Sequence, residues 1–115
     1  MAGDDGVLHI AEVPYPDGQV KFRFARYPTD DGRWVKHGRF TAFYEDGTLA
    51  SEGTYADGLE SGPWRDYHRN GSLAAEGRYE NGKETGEWQF WNSDGSLEKR
   101  KIFKEGVEVS QEDAK

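Results

Sequence analysis

The sequence predicts an all-β protein: an elongated antiparallel meander of tandem β-hairpins forming a single-layer sheet. Three observations predict it. The first is an internal period. Gly47, Gly71 and Gly95 stand 24 residues apart, and Leu49, Leu73 and Leu97 keep the same step. So do Phe40, Trp64 and Trp88, and Phe43, Tyr67 and Trp91. The second is composition. Only 34% of the 115 residues are apolar, and the 16 aromatic residues outnumber the 13 Ile, Leu and Val. A helical bundle or a doubly wound α/β domain needs a thicker aliphatic core, and a disordered chain carries few aromatics. The third is turn chemistry. Asp-Gly and Asn-Gly pairs bound aromatic-rich runs of about seven residues, whereas the three-and-four spacing of an amphipathic helix is missing.

The elements follow in order. Residues 1–37 read as a degenerate N-terminal hairpin unit and cap, with strands at His9–Val13 and Val20–Arg26 around Pro14-Tyr15-Pro16-Asp17-Gly18. The next turn, Pro28-Thr29-Asp30-Asp31-Gly32, is longer than its later counterparts, so the exact period is lost there. Residues 38–109 hold three 24-residue repeats, with strands expected near 38–44, 48–55, 62–68, 72–79, 86–92 and 96–103. Residues 110–115 are expected to form a flexible tail.

Side chains alternate faces along a strand. Leu49, Ser51, Gly53 and Tyr55 should therefore share one face, as should Leu73, Ala75, Gly77 and Tyr79. A glycine in mid-strand leaves room for a ring, so Trp64 is expected over Gly53 and Trp88 over Gly77. In the third unit Lys101 takes the glycine position and Glu112 the tryptophan position, which reads as the end of the array. The other face carries Phe43, Tyr67 and Trp91 among Glu52, Glu76, Arg65, Arg78 and Arg100. Two readings of that row stay open: a bulge turns it inward as a second core stripe, or it is an exposed surface for a protein partner. Glu52 and Glu76 are expected to pair with Arg65 and Arg78 across strands.

The set Gly62, Trp64, Tyr67, Asn70, Gly71, Leu73, Glu76, Gly77, Tyr79 and Gly82, repeated around Gly38 and Gly86, resembles the MORN-repeat variant of bacterial proteins. The resemblance covers roughly residues 33–109. It implies an elongated β-hairpin array without catalytic residues. It further implies a scaffold or adaptor role, an antitoxin role neutralising a partner toxin, or an association with phospholipids.

The bulk numbers narrow the function. A net charge of −7 disfavours nucleic acid and anionic membranes as partners. No cysteine is present to form a disulfide or a thiolate site. His9, His37 and His68 lack metal-ligand spacing, and His68 reads as a solvated strand-end residue. No nucleophile elbow, phosphate loop or dinucleotide fingerprint occurs. The expectation is a cytoplasmic, non-catalytic protein-interaction module with no cofactor and no metal. Its candidate partner-binding residues are Phe43, Tyr67, Trp91, Arg65, Arg78, Glu52 and Glu76. Self-association through a sheet edge or face is a further expectation.

Overall fold

A computed structural model describes residues 7–113. Within them the chain folds into one antiparallel sheet. Its strands are β1 (His9–Pro14), β2 (Val20–Pro28), β3 (Trp34–Phe43), β4 (Leu49–Ala56), β5 (Leu59–Glu60), β6 (Gly62–Tyr67), β7 (Leu73–Glu80), β8 (Lys83–Trp91), β9 (Leu97–Lys104) and β10 (Val107–Asp113). They lie in chain order, with the short β5 paired to β4 alone. The overall extents are 52 × 36 × 18 Å, and the smallest dimension fits one layer of strands with side chains on both faces.

Two kinds of turn alternate. At one end of the strands, four five-residue turns share a single hydrogen-bond pattern, and the Thr29–Arg33 turn at the opposite end repeats it. In the turn at Asp46-Gly47, Tyr44 N–H donates to Thr48 O and Gly47 N–H to Tyr44 O. The aspartate or asparagine before the glycine accepts from the backbone two residues on, as Asp46 does from Thr48, Asn70 from Ser72 and Asp94 from Ser96. At the other end, Asp57-Gly58, Asn81-Gly82 and Glu105-Gly106 all have positive φ, as a two-residue mirror-type hairpin turn requires. These turns are tighter than the sequence suggests. Pairing resumes at once, through Ala56↔Leu59, Glu80↔Lys83 and Lys104↔Val107, and so β8 begins at Lys83, ahead of the expected 86.

The core lies on one face. Phe40, Ala42, Trp64 and Trp88 form its buried centre, and Phe22, Phe24, Tyr55, Tyr79, Phe90 and Phe103 pack around them. The expected glycine–indole pairs are present. A Cβ on Gly53 would fall inside the Trp64 ring, and one on Gly77 inside the Trp88 ring. Each indole lies flat on bare backbone, which is how tryptophans reach 8% and 4% exposure in a protein one sheet thick. Rings then run along the array: Phe40 stacks on Trp64 at 5.6 Å, and Tyr79 stands edge-on between Trp64 at 5.3 Å and Trp88 at 5.1 Å.

Two expectations need correction. Leu49 and Leu73 do not share the glycine face. The register slips between Ala42 and Phe43 and between Asp66 and Tyr67, so Leu49 pairs with Phe43 and Leu73 with Tyr67 on the opposite face. Residues 110–113 are not a tail but part of β10, where Gln111, Glu112 and Asp113 pair with Lys101, Arg100 and Lys99; residues 114–115, like 1–6, lie outside the described residues. The first unit also departs from the repeat by more than its long turn. Phe24 faces Phe40 at the position where later units set a glycine against the ring.

Candidate binding surfaces

The face opposite the indoles is built from the alternate residues of the same strands. Alternation along β3, β6 and β8 places Phe43, Tyr67 and Trp91 there in one row, one per repeat, each half-buried, and the bulges in the facing strands set Leu49, Leu73 and Leu97 opposite them. They are therefore neither a second core stripe nor fully open. Successive members stand about 9–10 Å apart, the width of two strands.

A ladder of side-chain-to-backbone bonds crosses the row from unit to unit. Tyr15 Oη donates to Phe43 O at 2.8 Å, Tyr44 Oη to Tyr67 O, and His68 Nε2 lies 2.8 Å from Trp91 O. A carbonyl can only accept, so His68 carries its proton on Nε2. His68 is thus a half-buried bridge between units, not a solvated strand end. Tyr44 and His68 hold the same repeat position, a signal present in the sequence but hidden by the difference in residue type.

Ion pairs flank the row. Arg65 Nε meets Glu76 Oε2 at 2.7 Å, as expected, and this bond together with Tyr67 holds the guanidinium above its usual pKa. Glu52 is not paired with Arg65 or Arg78. Arg65 faces it in register across β4 and β6 but is taken by Glu76; Glu52 instead takes Arg39 of β3 at 2.6 Å and the Tyr67 hydroxyl at 2.5 Å. Burial, then the bond to Glu52, raises the Tyr67 phenol. Arg78 makes no ion pair among the described residues; its carbonyl accepts the Trp88 indole N–H at 3.1 Å. The remaining rungs are Glu12–Arg23 at 2.7 Å and Arg100 with Glu87 and Glu112, each at 3.2 Å. The Arg23 guanidinium also lies 5.5 Å from the Phe43 ring centre.

Where β4 and β6 part, Arg39, Glu52, Gly53, Thr54, Pro63 and Arg65 line a shallow, open depression of about 310 Å³. Its charged groups are already paired, Arg39 with Glu52 and Arg65 with Glu76. No cluster of three or more His, Asp or Glu side chains able to hold a metal occurs among the described residues. The surface offers aromatic edges, guanidinium–carboxylate pairs and a regular spacing, which suit contact with another macromolecule better than proton transfer.

Residues 36–57 and 60–83 match the family model described as MORN repeat variant. This supports a MORN-repeat family. The two matched segments are adjacent and together span less than half of the chain. Each MORN-type segment contributes one mid-strand glycine that seats an indole of the following unit, Gly53 under Trp64 and Gly77 under Trp88, and residues 84–107 continue most of the same columns beyond the match. MORN repeats are a non-enzymatic module, generally held to mediate protein or membrane binding. No curated protein matches the chain.

Proposed function

We propose that the chain is a non-catalytic protein-interaction module, an adaptor that presents the Phe43–Tyr67–Trp91 row and its flanking ion pairs to a partner protein. The observation that carries this reading is the row itself: three half-buried rings at one per unit on the face the core does not use. Aromatic and arginine side chains dominate the energetics of protein contacts, and here Arg39 meets Tyr67 through their shared Glu52 while Arg65 lies beside the Tyr67 side chain itself. The net charge of −7 opposes the alternative of an anionic lipid surface.

The test is affinity capture with the intact chain and with a Tyr67→Ala/Trp91→Ala variant, whose folding is checked by circular dichroism. Proteins retained by the first and lost by the second are the expected outcome. Identical retention by both would sink the reading.

A further inference from the structure

Charge is unevenly placed along this acidic chain. Between Val20 and Arg39 lie six cations and two carboxylates, a net of +4 in a molecule of −7. Three of the six are paired: Arg23 with Glu12, Arg33 with Asp31 and Arg39 with Glu52. Lys21, Arg26 and Lys36 make no ion pair among the described residues. Each instead lies over aromatic rings: Lys21 over Tyr15 and Phe22, Arg26 over Trp34 at 4.0 Å, and Lys36 over Phe24 and Tyr55.

Register makes the arrangement sharper. In the later units one pairing recurs, an aromatic ring opposite a glutamate: Tyr55↔Glu60, Tyr79↔Glu84 and Phe103↔Glu108. In the first unit the same position holds Arg26↔Lys36. Lys36 is 24 residues before Glu60, and Trp34 is 24 residues before the turn glycine Gly58. Two like charges directly opposite across strands destabilise a sheet. Arg26 Nε is buried with no hydrogen-bond partner, and Trp34, which shields the guanidinium, is itself 47% exposed. A repeat rule broken in this way, with no carboxylate paired to either cation among the described residues, marks a site completed from outside.

We infer that the Arg26–Lys36–Trp34 corner of the indole face binds the carboxylates of an extended acidic segment of a partner protein. A guanidinium stacked on an indole presents its edge to a carboxylate, and Lys36 supplies a second cation one strand away. A polyanion of larger extent would meet the acidic remainder of the chain, whereas a short segment need not. The inference rests on reading the chain as a binding module but uses the face opposite the Phe43–Tyr67–Trp91 row.

The experiment is a titration of the full chain with a synthetic octapeptide of alternating Glu and Val, followed by the indole and amide signals of residues 20–39 in NMR spectra. Saturable shifts at Trp34 are expected at low ionic strength. Arg26→Gln and Lys36→Gln should each weaken binding about tenfold, and a Gln/Val octapeptide should not bind. Lys36→Gln removes the charge and keeps most of the half-buried stem, so it carries the test if Arg26→Gln folds poorly. Tyr67→Ala/Trp91→Ala should bind the peptide undiminished, which separates a failure here from a failure of the row. No saturable shift, or binding indifferent to both single variants, would overturn the inference. So would inorganic phosphate or phosphatidylserine vesicles binding as tightly as the peptide. Self-association of the chain that Arg26→Gln abolishes would overturn it too, by making a second copy the occupant.

Discussion

At the scale of single residues, the glycines under the indoles decide most. Replacing a strand glycine by alanine normally helps, by roughly 0.5–1 kcal/mol, because it removes freedom from the unfolded chain. At Gly77 the sign should reverse. The new Cβ would occupy the Trp88 ring, and neither a strand backbone nor a 4%-exposed indole can give way cheaply. Overpacking of this kind costs about 1–3 kcal/mol, and Gly77→Ala is expected at the upper end, read from the midpoint of urea unfolding. Gly77→Ala/Trp88→Phe should recover part of the loss, since the smaller ring retreats from the site. Tyr79, packed edge-on between the two indoles, gives a pH prediction. Burial, and next the charge of Glu84, push its phenol up to about 12 from an ordinary value of 10. The native state therefore favours the neutral form. That contribution is whole below pH 10 and is lost as pH rises from 10 through about 12. Phenolate absorbance should show several tyrosines ionising late, Tyr79 last and together with unfolding. Tyr79→Phe, which copies Phe103 in the same column, should remove that step and leave the fold intact.

At the scale of elements, the turns show how much the sequence could reveal. The mirror-type turns demand a left-handed residue before the glycine. Asp57 and Asn81 tolerate it, while Glu105, at φ 49°, does not suit it. Glu105→Asn should raise stability by about 0.5–1 kcal/mol, with no change in the slope of a urea curve. Each of these turns also ties to its predecessor: Gly58 N–H donates to Lys36 O, Gly82 N–H to Glu60 O and Gly106 N–H to Glu84 O. Meander order, strand positions and the Trp64–Gly53 and Trp88–Gly77 contacts were legible because period and alternation are written in residue types. The leucine column was misplaced because a bulge leaves no mark of its own: Ala50 and Ala74 are ordinary residues that happen to lack a register partner. The ion-pair partner of Glu52 was hidden for another reason. Glu52 does face Arg65 in register, but Arg65 goes to Glu76 and Glu52 to Arg39, a choice between neighbours that spacing does not rank. β10 was missed because its residues, Val107–Asp113, are all exposed and its last four are polar or acidic, so only the register to β9 identifies them as a strand. The Arg26↔Lys36 pairing lies beyond the long turn at Asp30-Asp31-Gly32, where the period that made the rest readable is interrupted.

At the scale of the whole molecule, a sheet 18 Å thick has no second layer to hold it, so each unit depends on its neighbours. Among the described residues no side chain is fully buried, and the seven most buried apolar residues run from Ala25 to Trp88 along the array. Trp88 is the last indole seated on a glycine. Its cover on the far side comes from β9, through Phe103 at 6.4 Å, while Lys99 and Lys101 lie over the neighbouring Phe90 ring. β10 adds no buried residue; it contributes backbone pairing and the contacts of Glu108 with Lys101 and Glu112 with Arg100. Two truncations should therefore differ in kind. Ending the chain after Lys104 removes β10 but keeps every ring contact of Trp88. Near-ultraviolet circular dichroism should stay native, with a modest fall in melting temperature. Ending it after Asn92 removes β9 as well, strips Phe103 from Trp88 and leaves β8 as an unguarded edge bearing Trp88, Phe90 and Trp91. That form should lose part of its aromatic signal and self-associate, detected as a rise in sedimentation coefficient with concentration. If both truncations behave alike, the stacked rings do not carry stability from unit to unit, and the backbone ladder alone accounts for the cohesion of the sheet.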